Sequence, residues 1–253
     1  MYYNAIGIYF SATGNTKKYV NTMTDAIGAC TEEIDVTTVP QPEQRTFSNK
    51  DFVVFGAPVY SGRIPKVARE RFSAFRGNQT NCILVASYGN RDFDDALLEM
   101  ADMAREQGFV VQGAAAVIGK HTFGEIQVDR PNSGDLAAAA DFARQASLKV
   151  ITKAWDLNVD IPGNRPFCEG GTGVGFHPST NEKCTGCGFC VAECPVHAIA
   201  DNCVTISDAC LSCFRCISIC PVHAKEMVTP EYLSFAKDFS EKLKNRKENT
   251  YFL

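Results

Sequence analysis

The residues with the most chemistry per position are cysteines. Cys184-Thr-Gly-Cys187-Gly-Phe-Cys190-Val-Ala-Glu-Cys194-Pro195 has the form C-x2-C-x2-C-x3-C-P, and Cys210-Leu-Ser-Cys213-Phe-Arg-Cys216-Ile-Ser-Ile-Cys220-Pro221 repeats it 26 residues later. The flanks repeat too, Cys194-Pro-Val-His197-Ala matching Cys220-Pro-Val-His223-Ala, which marks a duplicated half-domain. A cubane iron–sulfur cluster binds one thiolate per iron. Three closely spaced cysteines on a tight loop supply three corners, and the fourth must come from elsewhere. Small residues at Thr185, Gly186, Gly188 and Ser212 let backbone N–H groups approach cluster sulfur. A pair of zinc sites is the alternative, but zinc prefers two separated C-x2-C pairs to triple-cysteine runs.

Over nearly all of residues 181–228 the chain resembles the bacterial two-cluster ferredoxins. There the fourth cysteine of each run ligates the other cluster. The resemblance therefore implies one [4Fe–4S] cluster on Cys184, Cys187, Cys190 and Cys220, and a second on Cys210, Cys213, Cys216 and Cys194. Cys30, Cys82, Cys168 and Cys203 fall off this spacing and read as small buried hydrophobes or idle thiols. Repeat symmetry accounts for His197 and His223, which are not read as ligands.

The second candidate site is the run Tyr9-Phe10-Ser11-Ala12-Thr13-Gly14-Asn15-Thr16-Lys17. Hydroxyls, a glycine, an Asn and free N–H groups at a helix start make an anion cradle. It lacks the Gly-Lys-Ser/Thr of a nucleoside triphosphate loop. Helix capping by Ser11, Thr13 or Asn15 is the plain alternative, though capping needs only one such residue. Two further loops follow predicted strands: Gly56-Ala57-Pro58-Val59-Tyr60-Ser61-Gly62-Arg63-Ile64-Pro65 and Ser87-Tyr88-Gly89-Asn90-Arg91-Asp92-Phe93-Asp94. Ligands of open α/β sheets bind at the carboxyl ends of strands, and each loop offers an aromatic that can stack on a flat ring.

The hydroxyl-rich turn resembles the FMN-phosphate loop of flavodoxins. The whole chain resembles the flavodoxin–ferredoxin fusion proteins, in which a P-V-Y-x-G loop and a Y-G-N-R loop recur. FMN is then implied, with Ser11, Ala12, Thr13, Gly14, Asn15 and Thr16 on its phosphate. Pro58, Val59, Tyr60, Ser61, Gly62, Ser87, Tyr88, Gly89, Asn90, Arg91 and Phe93 would lie around its ring. The chain departs from small carrier flavodoxins in its weak acidity (16 basic and 19 acidic residues in 1–160), in ring loops without Trp, and in a long segment from Gly119 to Asn132. That segment either covers the flavin or meets the ferredoxin half. His121 within it reads as an ordinary loop histidine, with proton donation to reduced flavin as the alternative.

The elements that must position these groups follow from periodicity. Strands are expected at Ala5–Phe10, Glu33–Thr37, Phe52–Ala57, Cys82–Ser87 and Val110–Val117, and helices at Thr16–Ile27, Lys66–Phe75, Asp94–Gln107 and Asp135–Ala154. Near-continuous apolar runs such as Phe52-Val53-Val54-Phe55 suit a parallel sheet buried on both faces. Five β–α repeats predict a doubly wound, flavodoxin-like α/β domain with a five-stranded parallel sheet over 1–160. A Gly/Pro-rich linker follows at 161–180, then a small α+β two-cluster domain at 181–228. A C-terminal helix and tail occupy 229–253, the helix spanning 230–247 with its apolar residues mostly on one face. Gly170-Gly171-Thr172-Gly173-Val174-Gly175 is not a dinucleotide fingerprint. Phe176 stands at the third glycine position counted from Gly171, and no strand precedes it.

The 253 residues carry a net charge of −4 and 45% hydrophobic residues, which excludes a disordered chain and argues against nucleic acid as main partner. No apolar run reaches membrane-spanning length, and the N-terminus lacks a signal-peptide pattern. Twelve cysteines, nine of them between Cys184 and Cys220, read as metal ligation in a reducing cytoplasm. Oxygen-sensitive clusters point to an anaerobic one. With no NAD(P) motif, redox proteins of ferredoxin type are the expected donors or acceptors. The acidic ferredoxin half (3 basic, 5 acidic residues in 181–228) suits partners with basic patches. The leading reading is a protein that relays electrons between two [4Fe–4S] clusters and FMN, with no separate catalytic residues. The alternative is a ferredoxin-fed flavin reductase of a small acceptor such as a quinone. A third reading keeps the flavodoxin-like half as an empty docking module. Transfer within one chain and across a homodimer are both left open.

Overall fold

The computed structural model describes residues 3–28, 30–152 and 159–253, and only the backbone of Cys30. The thiol of Cys30 and the end of the helix expected to reach Ala154 lie outside the described residues.

The N-terminal half begins with β1 (Asn4–Tyr9), α1 (Asn15–Ile27), β2 (Cys30–Asp35), β3 (Arg45–Phe47) and β4 (Asp51–Pro58). It continues with α2 (Lys66–Phe72), β5 (Phe75–Gly77), β6 (Thr80–Tyr88), α3 (Ala96–Glu106), β7 (Phe109–Ile118) and α4 (Ser133–Ile151). Five of these strands form a parallel sheet in the order β7-β6-β4-β1-β2. It is the doubly wound sheet expected from the sequence. Side-chain alternation divides the interior into two cores. Ile6, Ile8, Val53, Phe55, Leu84 and Ala86 face α2 and α3, while Tyr9, Phe52, Val54, Ile83 and Val85 face α1 and α4. Because both faces are covered, the central strands are apolar at nearly every position.

Three differences from expectation have local causes. The second strand runs over 30–35 rather than 33–37, because Val36 and Thr37 turn inward. Val36 N–H donates to the Tyr9 carbonyl (2.9 Å) and Thr37 Oγ1 accepts from Ser11 N–H (2.8 Å). The helix expected over 66–75 stops at Phe72, and Phe75–Gly77 pairs in parallel with β3 as a separate two-stranded sheet. The long fourth helix begins at a capping box between Asn132 and Asp135, a device that contributes about 1 kcal/mol.

The C-terminal half contains β8 (Ser179–Thr180), α5 (Phe189–Ala192), α6 (Arg215–Ser218) and β9 (Lys225–Glu226), followed by α7 (Pro230–Lys242) and β10 (Thr250–Phe252). β8 and β9 pair antiparallel, and Ile199 bridges Ile206. α7 is shorter than the expected 230–247. The tail beyond it returns to the N-terminal domain, where β10 pairs antiparallel with β7 and covers its edge. The sheet thus has six strands, the sixth antiparallel.

The linker is anchored rather than loose. The Asp95 carboxylate accepts from Asn164 N–H and Cys168 N–H (2.7 Å each), and Arg165 forms a two-pronged ion pair with Asp102. Lys66 N–H donates to the Gly171 carbonyl, and Gly171 N–H to the Tyr60 carbonyl. Its glycines read as flexibility in sequence, yet Gly170 and Gly171 allow the backbone to lie against Ser61 and Ile64, where a Cβ would fall 2.2 and 2.5 Å from their carbonyl oxygens. Among the described residues, no helix is long and apolar enough to cross a membrane.

Candidate redox site

The turn between β1 and α1 is built for an anion. Gly14 adopts φ +90° and caps α1 without a side-chain bond, and a Cβ added there would meet nothing within 4 Å. Ser11 Oγ accepts from Lys17 N–H (3.1 Å), so one helix donor is satisfied. Among the described residues the N–H groups of Thr13, Gly14, Asn15 and Thr16 have no acceptor in the chain. Capping alone therefore leaves the positive end of α1 open, as a phosphate requires. Thr16 Oγ1 and Ser87 Oγ lie 2.7 Å apart, and Asn15 Nδ2 donates to the Lys120 carbonyl (2.9 Å). These bonds fix the turn against β6 and the loop after β7.

A cavity of about 370 Å³ opens at this turn. Ser11, Ala12, Thr13, Asn15 and Thr16 line it, with Pro58, Val59, Tyr60, Ser61 and Gly62 from one ring loop and Ser87, Tyr88, Gly89 and Arg91 from the other. Three expected residues do not line it. Gly14 shapes the turn through its backbone. Asn90 is buried and turned away: its amide donates to the carbonyls of Leu243 and Asn245 (2.8 Å each) and its oxygen accepts from Lys247 N–H (3.1 Å). Phe93 packs between Tyr88 and Phe252. Asn90 and Phe93 serve the C-terminal tail.

Part of the cavity's remaining wall comes from the Gly119–Asn132 segment, expected to cover the flavin or meet the ferredoxin half; the contributions of the linker, α7 and the second cysteine run carry no such signal in sequence. Lys120 to Phe123 enter from the loop after β7, Thr172, Val174 and Phe176 from the linker, Phe235 and Phe239 from α7, and Leu211 and Ser212 from the second cysteine run. Phe123 is the hub of an aromatic roof, its ring 5.2 Å from Phe214 and 6.0 Å from Phe235. Phe235 and Phe239 stack at 5.1 Å. The apolar residues on one face of α7 mark the side that it buries, but no local signal says which surface it covers. His121 lies against Phe239 and over Gly89. Burial lowers its pKa to about 4, and Phe123 N–H donates to Nδ1 (2.8 Å), so the neutral ring carries its proton on Nε2.

The cysteines gather in two sets. Cys184, Cys187, Cys190 and Cys220 surround one small cavity. Cys194, Cys210 and Cys216 lie beside Cys213, close enough for their charges to act on it, and burial first of all pushes the Cys213 thiol up to about 12. The resemblance to two-cluster ferredoxins implies ligand sets divided in this way. Among the described residues no three metal-binding side chains converge as ligands of a single ion would. The first set stands around a space, as one thiolate per iron requires. Backbone donors already point at sulfur: Ala198 N–H to Cys194 Sγ (3.3 Å), Ala224 N–H to Cys220 Sγ (3.2 Å) and Ser212 N–H to Cys210 Sγ (3.4 Å). The donor set fits iron–sulfur clusters, whose binding supplies the energy that deprotonates such buried thiols.

The repeat is symmetric in backbone and asymmetric in side chains. Gly186 and Gly188 hold φ +69° and +72°, and their counterparts Ser212 and Phe214 hold +53° and +57°. Left-handed backbone costs a non-glycine residue roughly 1–2 kcal/mol. The first run meets solvent, with Cys187 exposed, and uses glycine. The second run faces the N-terminal domain: Ser212 lines the large cavity and Phe214 joins the aromatic roof. Tyr60 lies between that cavity and the second thiol set. Burial, then the charges of Cys213 and Cys210, pushes its phenol well above the ordinary value.

Two arginines join the halves. Arg215 Nη1 donates to the Ala12 carbonyl (3.1 Å), and its other nitrogens bind the Glu193 carbonyl and carboxylate. Arg71, buried beneath Phe10, donates to the carbonyls of Val36, Thr37 and Pro195.

Comparison with known proteins finds two kinds of domain in the chain. A flavodoxin domain family matches residues 6–79, and 4Fe-4S binding domain families match residues 180–200 and 207–226. Among solved structures, a flavodoxin from the domain Archaea is similar at 17% identity and a TM-score of 0.41, over 58% of this chain and 98% of its own. Megasphaera elsdenii flavodoxin is similar at 18% identity and 0.37, over 53% of this chain and 97% of its own. No curated protein matches the chain. The flavodoxin domain implies FMN, and the paired 4Fe-4S domains imply two [4Fe–4S] clusters. With both kinds of domain in one polypeptide, the chain is a flavodoxin–ferredoxin fusion, an electron-transfer flavo-iron–sulfur protein.

Proposed function

We propose that the chain relays electrons between an external protein and FMN through two clusters in series. In this reading Cys184, Cys187, Cys190 and Cys220 hold the outer cluster, and Cys194, Cys210, Cys213 and Cys216 the inner one. Ser11 to Thr16 receive the FMN phosphate, and Pro58–Gly62 with Ser87–Arg91, Asn90 excepted, flank the ring. When bound, the clusters exchange one electron each and the flavin one or two. The domain division is 1–160 for the flavodoxin unit, 161–180 for an anchored tether, 181–228 for the two-cluster unit, and 229–253 for a strap that joins both.

The observation that carries the reading is the contribution of Leu211 and Ser212, inside the second cysteine run, to the cavity lined by Ser11–Thr16 and Tyr60. Contact within one polypeptide favours transfer within a chain, where tethering removes the need for encounter. The outer end is accessible: Cys187 is exposed and Phe189 is 47% exposed. A redox protein with a basic surface would suit this end. The aromatic roof of Phe123, Phe176, Phe235 and Phe239 favours the relay over a reductase that admits a small acceptor.

Anaerobic reconstitution followed by stepwise dithionite reduction tests the proposal. About eight irons and one flavin per chain, all reducible, are expected. Fewer irons, no flavin, or rapid steady-state turnover with quinones would contradict it.

A further inference from the structure

The duplication breaks at one buried position. Cys194-Pro-Val-His197-Ala198 is followed by Ile199, whereas Cys220-Pro-Val-His223-Ala224 is followed by Lys225. Ile199 is an ordinary member of the small apolar core between the thiols. Lys225 is just as enclosed, at 3% exposure. Its Nζ donates to the Cys203 carbonyl (2.6 Å) and to Thr180 Oγ1 (2.8 Å), and Thr180 Oγ1 donates in turn to the Cys203 carbonyl (3.1 Å). An ammonium has three N–H donors, so one is unspent.

Among the described residues no carboxylate pairs with Lys225. A buried ammonium without a counter-charge is strongly unfavourable, so its partner must be something else. The side chain lines the cavity formed by Cys184, Cys187, Cys190 and Cys220. Its chain neighbour Ala224 donates its N–H to Cys220 Sγ (3.2 Å), so Lys225 stands beside the first set. A cubane held by four thiolates is net negative in both redox states and gains one negative charge when it accepts an electron. A fixed cation beside it favours the reduced state.

We propose that Lys225 is the built-in counter-charge of the clusters, its third N–H directed at sulfur in the Cys184/Cys187/Cys190/Cys220 cavity, and that it holds cluster potential up. The inference rests on the two-cluster reading. A lysine that merely bonds the Cys203 carbonyl would serve packing and leave the potentials alone.

Iron and sulfide content is measured first on the anaerobically reconstituted full chain, as wild type, K225M, K225Q and K225R. Potentials are then followed by EPR-monitored titration. In K225M and K225Q at least one cluster midpoint should fall by a tenfold change in the reduction equilibrium, about 59 mV for one electron. K225R should stay near wild type. Loss of clusters from K225M and K225Q but not from K225R would also support a required charge. Neutral variants that keep full iron with both midpoints unchanged or raised would overturn the proposal, as would equal loss of iron from all three variants. A wild-type chain that cannot hold two clusters would refute the underlying reading instead, so the two failures are separable.

Discussion

Arg215 donates from Nη1 to the carbonyl of Ala12 at 3.1 Å, so a residue lying between two cysteines of the second run is hydrogen-bonded to the turn at the head of α1. The same guanidinium grips Glu193, one residue before Cys194. One planar, forked side chain therefore sets the inner thiols against the anion cradle. R215A should lower holoprotein stability by about 1–2 kcal/mol, because partly exposed ion pairs contribute modestly. It should also slow electron exchange between the clusters and flavin. Denaturant melts and flavin reduction kinetics on R215A and R215K check this, with R215K intermediate.

The crossed ligand sets predict which thiols fail together. C220S should lose the cluster of the first run although Cys220 belongs to the second, and C194S the reverse. In each case iron should fall from about eight to about four per chain. EPR of the remaining cluster identifies which one survives. Loss of the second-run cluster in C220S would disprove the crossing.

His121 makes stability depend on pH in a defined window. Burial lowers its folded pKa from 6.5 to about 4. As pH falls from 6.5 towards 4 the unfolded chain takes up a proton that the folded chain refuses. Stability is therefore lost on acidification through this range, by up to about 3 kcal/mol. H121Q should lose less stability than wild type between pH 7 and 5.5 in otherwise identical denaturant melts. Equal losses would show that the imidazole titrates normally.

Asn90 separates cofactor binding from clamping. N90A leaves the Leu243 and Asn245 carbonyls and the Lys247 N–H without their partner, at a cost of about 2–3 kcal/mol. FMN affinity of the folded variant should be nearly unchanged. A large loss of affinity with unchanged stability would restore Asn90 to the ring site.

The parts visible in sequence were those whose physics is local. Cysteine spacing separates the thiols into runs, apolar runs such as Phe52–Phe55 mark buried parallel strands, and the Ser11–Thr16 turn announces an anion at a helix start. What escaped depends on contacts distant in sequence. Nothing near Thr250–Phe252 reveals that it adds a strand beside β7, and nothing near Asn90 reveals that its partners lie some 150 residues away. The linker misled because glycine has two uses. At Gly170 and Gly171 it serves close backbone approach, not freedom. Asymmetry in the repeat was readable, since Ser212, Phe214 and Lys225 replace Gly186, Gly188 and Ile199. Its meaning was not, because only the fold shows that the second run meets the cavity.

The most direct test of the account is the rate at which flavin and clusters equilibrate after rapid anaerobic photoreduction, followed across a wide range of protein concentration. The relay within one chain predicts a first-order rate that does not change with concentration. A rate that rises in proportion to concentration would mean that electrons cross only between separate molecules, and would contradict it.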